Sequence, residues 1–147
     1  MKLLDTSAIN YVLKNDLHLE EDYFITSDIE EEKATAEISL GKVLSGNIKN
    51  ILENVRFPKH LYIKNYFHAL NKNKDIKRSF FNMTGFGDVS LMALIQTLQT
   101  LSSGEAQQLP IPGISQKIIV YVDDSSLIKA IEKLNYRDVI IKHPSEL

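Results

Sequence analysis

Four acidic side chains in this chain sit where an apolar run gives way to a helical one. Asp5 follows Leu3-Leu4 and precedes Ile9, Val12 and Leu13, which recur at helical spacing. Asp88 opens an apolar helix, Asp124 follows the run Lys117 to Val122, and Glu32 lies one turn into the helix after the second strand. Taken singly, each Asp is explained as a helix N-cap. Together they imply more, because strand ends and helix starts in a parallel α/β sheet share one edge, where ligands bind. Carboxylates gathered in one cleft repel each other unless a positive charge sits among them. Hard cations such as Mg²⁺ or Mn²⁺, with their preference for oxygen ligands, meet that need.

The elements that must position these acids can be read in order. Lys2 to Leu4 reads as a short buried strand, with a helix to Leu13. Tyr23 to Thr26 is the expected second strand, after a polar connection from Asn15 to Asp22. The helix after it has Ile29, Lys33, Ala36, Leu40 and Val43 as its expected inner face, Gly41 as a weak point within it and Ser45-Gly46-Asn47 as its stop. Ile48 to Glu53 reads as a short helix and Asn54 to Phe57 as an edge strand ended by Pro58. Lys59 to Asn71 is the most aromatic helix, with Tyr62, Ile63, Tyr66, Phe67 and Leu70 at helical spacing. Core packing is the favoured role for that stripe over base stacking.

Lys72 to Ser79 reads as a charged turn. The helix that follows Gly85 carries Leu91, Leu94, Ile95, Leu98 and Leu101 on one face, which predicts a central, buried element. Ser102 to Gln116 has no helix or strand period and reads as a long loop. Lys117 to Val122 is the clearest strand, Ser125 to Leu134 a helix, and Arg137 to Ile141 a last strand. The sum predicts one α/β domain over residues 1–147. It is a three-layer sandwich with a mainly parallel sheet of about five strands between helices.

Composition narrows the function classes. The chain of 147 residues has no cysteine, so disulfides, thiolate catalysis and thiolate metal sites are excluded. No apolar run approaches a membrane span, Lys2 to Asp5 does not open a signal peptide, and a cytoplasmic protein is expected. There is no Gly-x-Ser-x-Gly elbow, and His18, His60, His68 and His143 lack metal-ligand spacing. The net charge of −2 hides a segregation: nine acids against Lys33 from Asp16 to Glu37, then nine bases against two acids from Lys42 to Arg78. Solvated helix faces account for most such charge. Lys59, Lys64, Lys72, Lys77 and Arg78 are nonetheless candidates for following a phosphate backbone.

Leu3-Leu4-Asp5-Thr6-Ser7, Thr26-x-x-Ile29-x-x-Glu32, Gly85-x-x-Asp88-x-x-x-x-Ala93 and Val120-Tyr121-Val122-Asp123-Asp124-x-x-Leu127, in this order, resemble the PIN-domain family of metal-dependent ribonucleases. The resemblance spans almost the whole chain. It implies that Asp5, Glu32, Asp88 and Asp124 hold one or two divalent cations, Mg²⁺ or Mn²⁺, with Thr6 or Ser7 assisting, for hydrolysis of RNA. Val122 stands where the family usually has Thr, so Asp123 remains an alternative to Asp124, and Glu30, Glu31 and Glu37 are alternatives to Glu32. The resemblance also implies a rival class: a toxin component held by an antitoxin protein, or a degenerate module that binds without cutting. Exposed aromatic residues on the Lys59 to Asn71 helix would favour a partner or homodimer surface, and complete burial of Tyr62, Tyr66 and Phe67 would argue against it. A receiver-like phosphotransfer domain is disfavoured, because there is no Gly-rich phosphate loop and no second acid two residues from Asp5.

Overall fold

The structure, a computed structural model, describes residues 1–56, 58–72, 85–102, 117–136 and 138–147. Nearly all of the expected charged turn and long loop lies outside those residues, as do Phe57 and Arg137. The elements run β1 (Lys2–Leu4), α1 (Thr6–Lys14), β2 (His18–Ile25), α2 (Ser27–Leu40), β3 (Ser45–Asn50), α3 (Ile51–Asn54) and α4 (Lys59–Lys72). They continue with α5 (Phe86–Ser102), β4 (Ile118–Tyr121), α6 (Ser125–Lys133), β5 (Val139–Lys142) and a closing 3-10 turn at Pro144–Glu146.

The five strands form one all-parallel sheet in the order β3-β2-β1-β4-β5, flanked by helices as in a three-layer α/β sandwich. β1 is central. Leu3 pairs with Phe24 on one side and Val120 on the other, and Leu3, Leu4 and Val120 are fully buried, as a strand covered on both faces requires. The chain winds one way from β1 to β2 and β3, then returns to β4 and β5. The strand order therefore reverses between β1 and β4, and at the carboxyl end of that switch point an open sheet leaves a crevice. Asp5 sits there, its amide donating to the carbonyl of Tyr121 on β4 at 3.1 Å.

Helical periodicity settled the elements around that crevice. Ala8, Ile9, Val12 and Leu13 of α1 are buried, as are Leu91, Leu94, Ile95 and Leu98 of α5, while Leu101 and Met92 are partly covered. Each strand end is also joined to its next helical element by a capping residue. Asp5, Thr26, Asn50, Asp124 and His143 accept backbone amides at the starts of α1, α2, α3, α6 and the 3-10 turn.

The expectations failed where tertiary pairing rather than local pattern decides. β2 starts at His18, not Tyr23: Leu19 and Tyr23 point inward, and the acids between them, Glu20 to Asp22, face solvent across an irregular register with β3. Ser45 to Asn50 is an edge strand, β3, not a helix stop followed by a helix. Its ladder to β2 overrides a sequence poor in β-formers. The short helix begins only at Ile51, and Val55 and Arg56 form no strand. Gly41 does not weaken α2 internally but ends it, in the left-handed conformation (φ 61°) that helix C-caps favour. The residues beyond therefore leave the expected inner face, and Val43 is 85 % exposed. Part of the charge segregation is internal pairing: Lys42 with Asp16 at 2.9 Å and Lys49 with Asp22 at 2.7 Å. Among the described residues no helix is long and apolar enough to cross a membrane.

Candidate functional site

Asp5 is the buried centre of the site, 2 % exposed. Its Oδ2 accepts the Ser7 amide at 3.0 Å and the Ser7 hydroxyl at 2.6 Å, the ordinary geometry of a capping acid. Its Oδ1 is buried and, among the described residues, has no hydrogen-bond partner. A cap needs only one oxygen, and leaving the other buried and unpaired costs roughly 1–3 kcal/mol. Capping alone therefore does not account for Asp5. Burial pushes its carboxyl above the usual range. The Ser7 and Thr6 donors oppose that rise, and the charge of Glu32 adds to it.

Asp88, in the first turn of α5, is pushed up to about 7, by burial first and then by the charges of Asp5, Asp124 and Glu32. These three acids come from three separate parts of the fold, and all act on this one carboxyl. Glu32, on α2, is held in place from two sides. It accepts the Thr6 hydroxyl with one oxygen and the Gly87 amide, at 3.0 Å, with the other. The Gly87 bond ties α2 to the start of α5 and explains the glycine: a Cβ there would stand 2.6 Å from Glu32 Oε2.

Asp124 caps α6, its Oδ1 accepting the Ser126 and Leu127 amides at 2.7 and 2.9 Å. Its neighbour Asp123 takes a different course. It is exposed and lies 3.2 Å from His143 Nε2, and only its backbone joins the site, donating to the Ser7 hydroxyl at 2.8 Å. Asp124, not Asp123, is the acid whose charge reaches Asp88. Ser7 thus bridges the ends of β1 and β4, and Thr6 positions Glu32, so both hydroxyls serve the acids directly.

Sequence reasoning missed Asp28. Half-buried on α2, it has a carboxyl raised by burial and by Glu31 and Glu32, and lowered by the Ser90 hydroxyl. Its charge acts in turn on Tyr62 and Tyr66 of α4. Burial drives the Tyr62 hydroxyl far up and brings that of Tyr66 up to about 12. The signal was present, since Asp28 and Glu32 stand four residues apart and so share a helix face. Thr26 and Ser90, both fully buried, share a hydrogen bond at 2.5 Å behind this row.

No protein-family model, curated protein or solved structure matches this chain. The site must be judged on its own chemistry.

Carboxylate oxygens are the donors that Mg²⁺ or Mn²⁺ takes, and an unpaired buried Oδ1 beside mutually repelling acids suits a divalent cation in both type and charge. As they stand, no three Asp, Glu, His or Cys side chains among the described residues are arranged to hold an ion. Glu32 has both oxygens in hydrogen bonds, and Asp124 Oδ1 is the α6 cap. Of the expected nucleic-acid contacts, Lys59 and Lys64 are exposed on α4, while Lys77, Arg78 and the side chain of Lys72 lie outside the described residues.

Proposed function

We propose that this chain is a divalent-metal-dependent endoribonuclease of the PIN type. The observation that carries the reading is the buried Oδ1 of Asp5 at the switch point, without a hydrogen-bond partner among the described residues, together with the charges of Asp5, Asp124 and Glu32 acting on Asp88. Asp5 and Asp88 are the primary ligands, and Glu32 and Asp124 complete the acidic wall. A bound divalent ion supplies the charge that activates water and offsets the scissile phosphate. The chain's own residues do the rest. Ser7 fixes the Asp5 carboxylate, and Thr6 and the Gly87 amide fix Glu32.

Purified chain incubated with RNA tests this directly. Cleavage is expected with Mn²⁺ or Mg²⁺ and is expected to stop with EDTA. Mn²⁺ is also expected to raise the melting temperature, a readout independent of turnover. The absence of both cleavage and a thermal shift would sink the reading. Replacing Gly87 with Ala probes the site's construction. The added Cβ drives the Glu32 carboxylate off the amide, so cleavage is expected to fall about 10- to 100-fold while the melting temperature changes little.

A second reading, a binding module or toxin component held by an antitoxin or a second copy, draws on the exposed Phe67 of α4 and on Ile38 and Val43. These last two stand 83 % and 85 % exposed, in the last turn of α2 and just beyond it. Light scattering of the purified chain tests self-association.

A further inference from the structure

We infer that the outer face of α4 is a track for single-stranded RNA, on which unpaired bases stack beside a row of lysine and histidine side chains. This rests on the nuclease reading for its substrate class, but on different residues for its evidence. α4 divides cleanly into two faces. Tyr62 and Asn65 are buried against α5, where the Asn65 amide donates to Thr97 at 3.0 Å. Ile63 and Phe67, one turn apart, are 52 % and 59 % exposed. Alongside them run His60, Lys64 and His68, also one turn apart and exposed, with Lys59 ahead of them. The sequence of α4 contains no acid at all, whereas α2 carries a dense acidic run.

An apolar stripe edged on one side by lysine and imidazole side chains, with no acid on the helix, is complementary to a polyanion that also presents flat apolar faces. Single-stranded nucleic acid is such a ligand, while a duplex hides its bases. Continuity with the site strengthens the assignment. Tyr66 lies at the margin between the two faces, and its hydroxyl senses both Asp28 and Glu32. Its ring is 6.1 Å from that of Tyr62 and 6.3 Å, edge-on, from that of Phe67. The aromatic row therefore leads from the acidic cleft to the exposed stripe, the path a strand held across the cleft would follow.

The test is binding of a fluorescein-labelled oligouridylate to the full chain in EDTA, read by anisotropy, so that cleavage plays no part. Wild type is expected to bind the single strand more tightly than a duplex RNA. Phe67→Ala is expected to weaken it about tenfold or more, and Phe67→Tyr to retain it, since stacking on one ring is worth ~1–3 kcal/mol. Lys64→Ala is expected to lower the salt dependence by about 0.7 in log-log slope. Ile38→Ala, which removes exposed apolar surface on α2 instead, is expected to change nothing. Equal binding by Phe67→Ala, equal affinity for duplex, or no binding by wild type overturns the proposal. So does a dimer that Phe67→Ala dissolves without affecting RNA, which would make the face a protein interface. Stacking without Mn²⁺-dependent cleavage would retain the track and reject the nuclease; cleavage indifferent to Phe67→Ala would do the reverse.

Discussion

Replacing Asp5 with Asn is expected to abolish the proposed Mn²⁺-dependent RNA cleavage, by at least about a thousandfold, the scale on which losing one essential group acts in a preorganised site. The substitution is close to isosteric, and the fold has reason to tolerate it. The amide oxygen of Asn can still accept the Ser7 amide and hydroxyl that Oδ2 accepts now, so the α1 cap survives. The amide nitrogen then takes the place of Oδ1, which has no partner to lose. A neutral group there also relieves the charge that Asp5 places on Asp88. Melting temperature without metal should hold or rise, while the Mn²⁺-induced increase in melting temperature disappears together with the cleavage. Full cleavage by a folded Asp5→Asn protein would remove Asp5 from the chemistry and return it to capping. Lost cleavage with an undiminished Mn²⁺ shift would place the ion elsewhere.

The contrast between what sequence revealed and what it hid tracks the range of the forces involved. The β1-α1 and β4-α6 units and the inner face of α5 were legible because each is a local run whose apolar period states its burial. β3 was hidden because Ser45, Gly46 and Asn47 carry turn chemistry, and only the ladder to β2 makes them a strand. In α4, helical spacing could not distinguish Tyr62-Tyr66 from Ile63-Phe67, since both pairs are four apart and adjacent around the helix. Contact with α5 buries Tyr62 and part of Tyr66 and leaves Ile63 and Phe67 largely in water. The acids at strand ends could be named in advance because parallel topology sends such ends to one edge. Their supports could not: the Gly87 amide, 55 residues from Glu32 in the chain, and the Ser7 hydroxyl, 116 from Asp123, meet the acids only through folding.

The same crowding that makes the cleft suited to a cation should make the fold less stable as pH rises, and Asp88→Asn should reverse the effect. In the folded chain the Asp88 carboxyl titrates at about 7, against 3.8 for the unperturbed group. Between those values the folded state holds a proton that the unfolded state has released. Stability therefore falls as pH climbs through this window and is lowest above it. Three units correspond to about 4 kcal/mol as an upper bound; partial solvation and sharing of the repulsion among the acids bring the expected loss to ~2–3 kcal/mol. Asp5, also raised, acts with the same sign. Asn at position 88 is neutral throughout, so urea melts at about pH 5 and about pH 8 should differ much less for the variant than for wild type, and at the higher pH the variant should be the more stable protein. Mn²⁺ should narrow the gap by stabilising wild type alone, because the ion lowers the same repulsion that Asn removes. A variant that keeps the wild-type pH dependence would show that Asp88 does not share the field of Asp5, Glu32 and Asp124. A variant that is more stable at high pH yet inactive would show an acidic cleft maintained at the expense of stability, the trade a catalytic site imposes on its scaffold.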